Sequence, residues 1–483
     1  MIEKRELEAA AAVRPPQPPP PKTRVERDTM GEMPVPAGAL YGASTARAVR
    51  NFPISGHRMP AEFLRSLALV KAACARANEE LGRLPSEKAR LIREIAAEIA
   101  GGGYREHFPV DVFQTGSGTS TNTNINEVIA NRASQLAGLP LGSHQPLHPN
   151  DDVNLGQSSN DVIPTALHVS MALALREQLG PALVQLHRAL AGRAEAFAEV
   201  VKIGRTHLMD ATPLTLGQEF SGYAVQAEKA VARVDRAVAA LQELAIGGTA
   251  VGTGLNGHPA FAARVCGLLG EETGIHFAEA KNHFEAQAAR DDAVEVAGEL
   301  ATIAASLTKI ANDIRWLGSG PRSGLGELRL PATQPGSSIM PGKVNPVLCE
   351  ALVQVCLFVH GLTQTVVLCG REGHFELNAT IPLIAHALHE AIRCLANAVR
   401  VFAESCVNGL EADAARCAEL AERSLMLVTA LAPKLGYERA AAVAKEAAAT
   451  GRTLREVVLE RKLMDEAELG RALDARRMTR GPA

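Results

Sequence analysis

Aromatic residues are scarce in this chain, making up 4% of 483 positions with a single tryptophan. Alanine supplies much of the 47% apolar content instead, so close packing of helices is expected. The eight cysteines (Cys74, Cys266, Cys349, Cys356, Cys369, Cys394, Cys406, Cys417) include no C-x-x-C pair, so the pattern suggests neither an iron–sulfur cluster nor a zinc ribbon. Scattered thiols fit a reducing, cytoplasmic setting. An excess of one sign of charge is also missing: 50 Lys+Arg face 53 Asp+Glu, a formal charge of −3. That balance argues against a general nucleic-acid binder, which needs clustered cations to displace counterions from phosphates. An anionic ligand must therefore be caught locally. The start, MIEKRELEAAAAVRPPQPPPPK, has no apolar signal core and carries acidic residues that a transit peptide avoids. Residues 1–23 are expected to form a disordered, proline-rich tail. No repeat of fixed period is found.

The longest stretch free of charge, 351–370, is long enough to raise the question of a membrane span. Its content answers against one. Gln354, His360, Gly361, Thr363, Gln364 and Thr365 interrupt it, and Leu352, Val355, Val359, Leu362 and Val366 fall on one helical stripe. Steps of three and four residues recur at Val231, Val234, Val238, Leu241 and Ala245, at Leu300 to Leu317, and at Leu388 to Phe402. A weaker stripe runs from Leu183 to Phe197, with a kink expected at Gly180-Pro181. Five long helices between about 160 and 410 make a bundle whose outer faces are expected to pack on another subunit. The fold class is mainly α. A mixed helical N-terminal domain is expected at 24–156, the long-helix bundle at 157–410 and a small helical domain at 411–483.

Gly252-Thr253-Gly254-Leu255-Asn256-Gly257 matches the dinucleotide fingerprint G-x-G-x-x-G, but that fingerprint follows a strand, and here a seam helix is expected upstream. A Gly-rich loop ending a long helix explains it better.

Four polar segments carry compositions that packing does not explain. Thr115 to Asn124 (TGSGTSTNTN) offers hydroxyls and main-chain N–H groups that can wrap a carboxylate; equally, it can be a polar loop capping a helix that begins near Asn126. His148-Pro149-Asn150-Asp151-Asp152-Val153-Asn154, followed by Gln157-Ser158-Ser159-Asn160-Asp161, invites a metal reading, but no further His stands at ligand spacing, and turn or cap roles suit its Asp residues better. Lys202 to Asp210 (KIGRTHLMD) sets His207 among cations and polar neighbours. Gly336 to Pro346 (GSSIMPGKVNP) is a loop shaped by Gly and Pro in which Ser337, Lys343 and Asn345 supply a proton acceptor, a cation and an amide donor.

The last segment resembles the GSSxMPxKxN signature of the fumarase/aspartase superfamily at every fixed position. TGSGTSTNTNINEVIANRA, HPNDDVN, QSSNDVIPTA, KIGRTHLMDATPLTLGQEFSGY, GGTAVGTGLNGHP and SGPRSGLGELRLP extend the resemblance over nearly the whole chain from about Arg24. Within the superfamily it is most similar to the class II, metal-free fumarate hydratases, which implies reversible hydration of fumarate to (S)-malate through an aci-carboxylate carbanion. The resemblance implies a three-domain fold assembled as a homotetramer around a twenty-helix core, with sites shared between subunits, a small dicarboxylate substrate, no cofactor and no metal. By motif, Ser337 resembles the base, His207 the partner acid and Glu350 the carboxylate that orients it. Ser117, Thr119, Ser158, Ser159, Asn160, Thr206, Lys343 and Asn345 resemble the residues that bind the dicarboxylate. His148, Asn150, Asp151 and Asn154 resemble a second anion site, although His144-Gln145-Pro146-Leu147 replaces the basic residues common before it. Aspartate ammonia-lyase is the runner-up, and a non-catalytic, crystallin-like protein is the alternative of another class. Arg205-Thr206-His207 favours the fumarase form, since aspartases typically carry Gln after Arg-Thr; Tyr41-Gly42-Ala43 and Cys406-Val407-Asn408-Gly409 lean the other way.

Overall fold

The computed structural model describes residues 22–480, so the expected tail falls almost wholly outside the described residues. The chain forms two compact units, one built from residues up to 167 with 244–288 and 374–383, the other from 168–243, 289–373 and 384 onward.

In the first unit the strands Thr23–Asp28 and Gly31–Pro36 form a hairpin whose turn is held by the Asp28 carboxylate accepting from Met30 N at 2.8 Å. The Ala61–Glu80 helix starts after Pro60, buries Phe63, Leu67, Val70, Cys74 and Ala77 at helical spacing, and packs on Ser86–Ala100 and Phe261–Thr273. The Thr119–Leu136 helix begins seven residues before the position expected from the sequence, so the hydroxyl- and amide-rich run from Thr119 to Asn124 is its opening turns. Asn side chains there face the interior and find partners, which offsets their poor helix propensity: Asn124 Nδ2 donates to His107 O at 2.9 Å and Asn131 Nδ2 to Leu40 O at 3.0 Å.

The second unit holds most of the long helices. Gly180–Ala196 packs on Leu216–Ala240, which packs on Asp291–Leu317, which packs on Val347–Gly370. The kink expected at Gly180-Pro181 takes the form of a π-helical turn at Leu175–Leu179, whose wider ring leaves room for a proline that cannot donate. The Leu216 helix is opened by a capping box between Thr215 and Gln218 and closes at Ala240, so Leu241 and Ala245 of the expected seam lie beyond it. Both are still buried, which is why a periodicity of burial alone overran the helix end. Along Val347–Gly370 the buried line is Cys349, Leu352, Cys356, Val359, Thr363, Val366 and Cys369. Val355 and Leu362, expected on the stripe, stand at its half-buried flank. This helix is long and apolar enough to cross a membrane by length and composition, yet its buried line is fitted to the Asp291–Leu317 helix. Its other face leaves Leu357 and Phe358 exposed, with Val367 and Leu368 about three turns on. The last segments close on a small core of Leu427, Leu431, Val443, Leu454, Val457 and Leu469.

Candidate active site

Two constellations carry the polar residues, one in each unit. In the first, the chain turns tightly from Thr115 into the Thr119 helix. A Cβ at Gly116 would stand 1.7 Å from Ala379 O, and Gly118, at φ +75°, lies against Ile163, so neither position admits a side chain. The turn aims Ser117 Oγ at Thr119 Oγ1, 2.7 Å away, and Thr119 Oγ1 lies 2.8 Å from Ser159 Oγ. Thr119 and Ser159 are the first residues of their respective helices. Two positive helix ends therefore converge on a trio of hydroxyls, an arrangement suited to a carboxylate. Ser158 Oγ accepts from Asn160 N at 3.2 Å, and Asn160 Nδ2 donates to Ala250 O at 2.8 Å. Five of the residues singled out from the sequence are thus brought together.

Reading the sequence missed what lies beneath them. Asp161 is fully buried; it accepts from Ser158 N at 2.8 Å, Gly247 N at 3.1 Å and Thr249 N at 2.9 Å. The N–H groups of Gly247 and Thr249, just upstream of the Gly-rich loop, are thus bound to a carboxylate of this chain, while Gly252 N and Gly254 N donate to Gly248 O; the element before this stretch is a two-residue strand, Glu243–Leu244, where a helix end was expected. Lys71 is also fully buried, and nothing in the sequence sets it apart from the other cations of its helix, Arg65 and Arg76.

The segment from His148 folds as a π-helical turn, Pro149–Val153. His148 Nδ1 accepts from Asn150 N and Asp151 N, while Asp152 accepts from His148 N at 2.8 Å and pairs with Lys88 at 2.7 Å. Asn154 Oδ1 is turned inward to Lys71, Asn122 and Asn126, away from any role shared with the exposed Asn150. Among the described residues, no group of three or more His, Cys, Asp or Glu side chains is placed to hold a metal ion.

In the second unit, strands Val201–Thr206 and Met209–Thr215 form a hairpin with His207 and Leu208 at its tip, at φ +57° and +61°. Such a turn ordinarily uses Asn-Gly, and holding two side-chain-bearing residues in the left-handed region costs on the order of 1–2 kcal/mol each. The hairpin is anchored from below. Arg205 makes a two-pronged pair with the fully buried Glu327 at 2.8 and 3.0 Å, and buried Lys202 reaches Glu219 at 3.0 Å and Glu327 at 3.5 Å. Desolvation pulls the Arg205 pKa down, but the bond to Glu327 and the charges of Glu327, Glu219 and Asp210 together hold it above its ordinary value. Thr206 and His207 are exposed at the hairpin end.

The Ser337 loop folds on itself. Gly336 N donates to Lys343 O at 2.7 Å and Asn345 Nδ2 to Gly336 O at 2.7 Å, and a Cβ on Gly336 would meet Lys343 O at 2.5 Å. Within that closed loop Ser337 Oγ accepts from Ile339 N at 3.2 Å and Met340 N at 3.1 Å. Glu350 lies in the first turn of the Val347–Gly370 helix, and the described residues show no hydrogen bond between it and His207.

Comparison with known proteins identifies the family. A lyase family model matches residues 31–361, and a model of the fumarase C C-terminus matches 427–480. A class II fumarate hydratase of Thermosynechococcus vestitus is 53% identical over 438 residues, covering 91% of this chain and 94% of its own. The class II fumarate hydratase of Mycobacterium tuberculosis is 53% identical over 462 residues, 95% of this chain and 96% of its own. The chain belongs to the class II fumarase family. The crystal structure of the class II fumarase from Schistosoma mansoni superposes with a TM-score of 0.92 at 38% identity, over 95% of this chain and 99% of that one. Membership of the class II fumarases makes this chain a hydro-lyase of the fumarate hydratase type, as its motifs implied.

Proposed function

We propose that hydration of fumarate to (S)-malate, and its reverse, run here through an aci-carboxylate carbanion with Ser337 as the base at C3. The observation that carries this reading is the pair of main-chain N–H groups at Ser337 Oγ. A serine hydroxyl is a weak base until its alkoxide is stabilised, and two N–H donors with Lys343 on the same loop supply that stabilisation. His207 protonates the departing hydroxyl, with Glu350 orienting it, because hydroxide leaves poorly unless protonated as it goes. Ser117, Thr119, Ser158, Ser159 and Asn160 bind one carboxylate of the dicarboxylate; Thr206, Lys343 and Asn345 receive the charge that grows on the other as the proton leaves.

The active form is a homotetramer in the cytoplasm with sites shared between subunits. Support comes from the uncovered apolar face of Val347–Gly370, from His207 held in strain at an exposed tip, and from the lack of a His207–Glu350 bond within one chain. In this reading the site residues come from 24–156 and 157–410, 411–483 is a small separate domain, and His148 with Asn150 and Asp151 forms a weaker second anion site without Asn154. Following the ultraviolet absorbance of fumarate with malate and then aspartate as substrate tests the activity. Turnover of malate alone is expected; turnover of aspartate alone would make the chain an ammonia-lyase, and of neither a non-catalytic member.

A further inference from the structure

The triplet Ser158, Ser159 and Asn160 is flanked in sequence by Gln157 and Asp161, and both flanking residues are held by buried polar groups. Lys71 rises from the apolar face of the Ala61–Glu80 helix with no solvent exposure. Its Nζ donates to Gln157 Oε1 at 2.8 Å and to Asn154 Oδ1 at 2.9 Å. Asn154 Nδ2 in turn donates to Gln157 O at 3.1 Å, and Gln157 Nε2 to Val153 O at 3.1 Å, so side chain and main chain of Gln157 are both fixed. On the other side Asp161 ties Ser158 N to the N–H groups of Gly247 and Thr249.

Removing a cation and an anion from water is costly, so packing alone does not account for burying Lys71 and Asp161. Burial lowers Lys71 to about 7 and raises Asp161 to about 6, with the charge of each opposing the shift of the other. An ammonium and a neutral amine both keep the two N–H donors that the amide oxygens need, so the grip on Gln157 survives either state. What apolar replacements could not do is fix the direction of the triplet's hydroxyls and amide.

We propose that Lys71 and Asp161 are positioning residues for the hydration reaction, gripping the carboxylate-binding triplet from its two ends, Lys71 through Gln157 and Asp161 through Ser158. The inference rests on the assignment of that triplet to carboxylate binding. It locates substrate affinity partly in two groups that never touch substrate.

The test compares Lys71→Met, Gln157→Leu and their combination in the full-length enzyme, reading KM and kcat for fumarate, the dissociation constant of succinate, and the melting temperature. Each single variant is expected to raise KM and the succinate constant by about tenfold while kcat changes by less than about threefold, the pattern of lost ground-state binding. The double variant is expected to be no worse than the single ones, because both break the same link. If Lys71→Met does not fold, Gln157→Leu and Asp161→Asn carry the test alone. A lowered melting temperature with KM and succinate binding unchanged overturns the proposal and leaves a purely structural pair. So does a fall confined to kcat. Ser159→Ala separates the underlying assignment: if it leaves KM and succinate binding untouched, the triplet does not bind the carboxylate and the reading beneath the proposal is the one that fails.

Discussion

The hydroxyl of Thr119 lies 2.8 Å from that of Ser159, forty residues further along the chain. Each opens a helix, so this one contact brings two helix N-termini to a common point. Three hydroxyls and two positive helix ends are concentrated there, and none of the trio is a cation. In the proposed reading, this is how a chain of nearly balanced charge selects an anion.

Gly116→Ala tests the turn that creates this contact. Its Cβ would stand 1.7 Å from Ala379 O, so the main chain must shift and carry Ser117 and Thr119 with it. Steady-state kinetics should show KM for fumarate raised about tenfold or more, for the loss of one or two hydrogen bonds worth ~1 kcal/mol each. An unchanged KM would mean that the trio does not meet substrate.

Ser337→Ala removes the proposed base from an exposed loop that contributes little to either core. Turnover should fall by on the order of 10²–10⁴-fold while the melting temperature stays within a degree or two of the parent. Near-normal turnover would take Ser337 out of its role. Exhaustive chelation of the parent enzyme, by contrast, is expected to leave malate dehydration intact.

Shared sites make a prediction of their own. Ser337→Ala and His207→Asn proteins, each nearly inactive, should regain activity when unfolded together and reassembled, since some mixed sites then hold both native residues. Native mass spectrometry reports whether hybrids form. Hybrids with no more activity than the separate variants would confine each site to one chain.

The second unit carries a buried acid-sensitive group. His168, hydrogen-bonded through Nδ1 to Glu243 O at 2.9 Å, is pulled to about 4 by burial, with nearby Arg290 adding to the effect. Its folded pKa thus lies below its unfolded value near 6.5, and the unfolded state binds the extra proton between the two. The stability held by neutral His168 is complete above about pH 6.5 and is lost as pH falls toward 4, up to on the order of 3 kcal/mol. Denaturant titrations of the parent and of His168→Gln across that window should show a steeper acid loss in the parent. Parallel curves would mean that His168 binds its proton equally well in the folded and unfolded chain.

Much of the helix plan was legible before any coordinates. Stripes at Leu300 to Leu317 and Leu388 to Phe402 fall inside the helices Asp291–Leu317 and Ile381–Ser405, because burial on one face of a helix imposes a period that a sequence displays. The ends were less legible. Leu241 and Ala245 keep the period of burial after the Leu216–Ala240 helix has stopped, since a loop can fill the same core. Thr119 to Asn124 looked like a loop because its residues favour turns, and only the interior partners of the Asn side chains make helix the better state.

By itself the sequence determined the family, the mainly helical class and the identity of the segments that carry chemistry, all of which are local patterns written in consecutive residues. It did not determine the use of Lys71. In an apolar helical run a lysine can send its stem along the surface and keep its ammonium in water. Here the ammonium is instead buried because Asn154 and Gln157, 83 and 86 residues away, turn their amide oxygens toward it. Likewise Asp161 reads as a helix-start carboxylate until Gly247 and Thr249 arrive from 86 and 88 residues further on. A buried charge is tolerable only where its partners are in place, and those partners assemble only when distant segments pack, so tertiary structure alone decided what these two groups do.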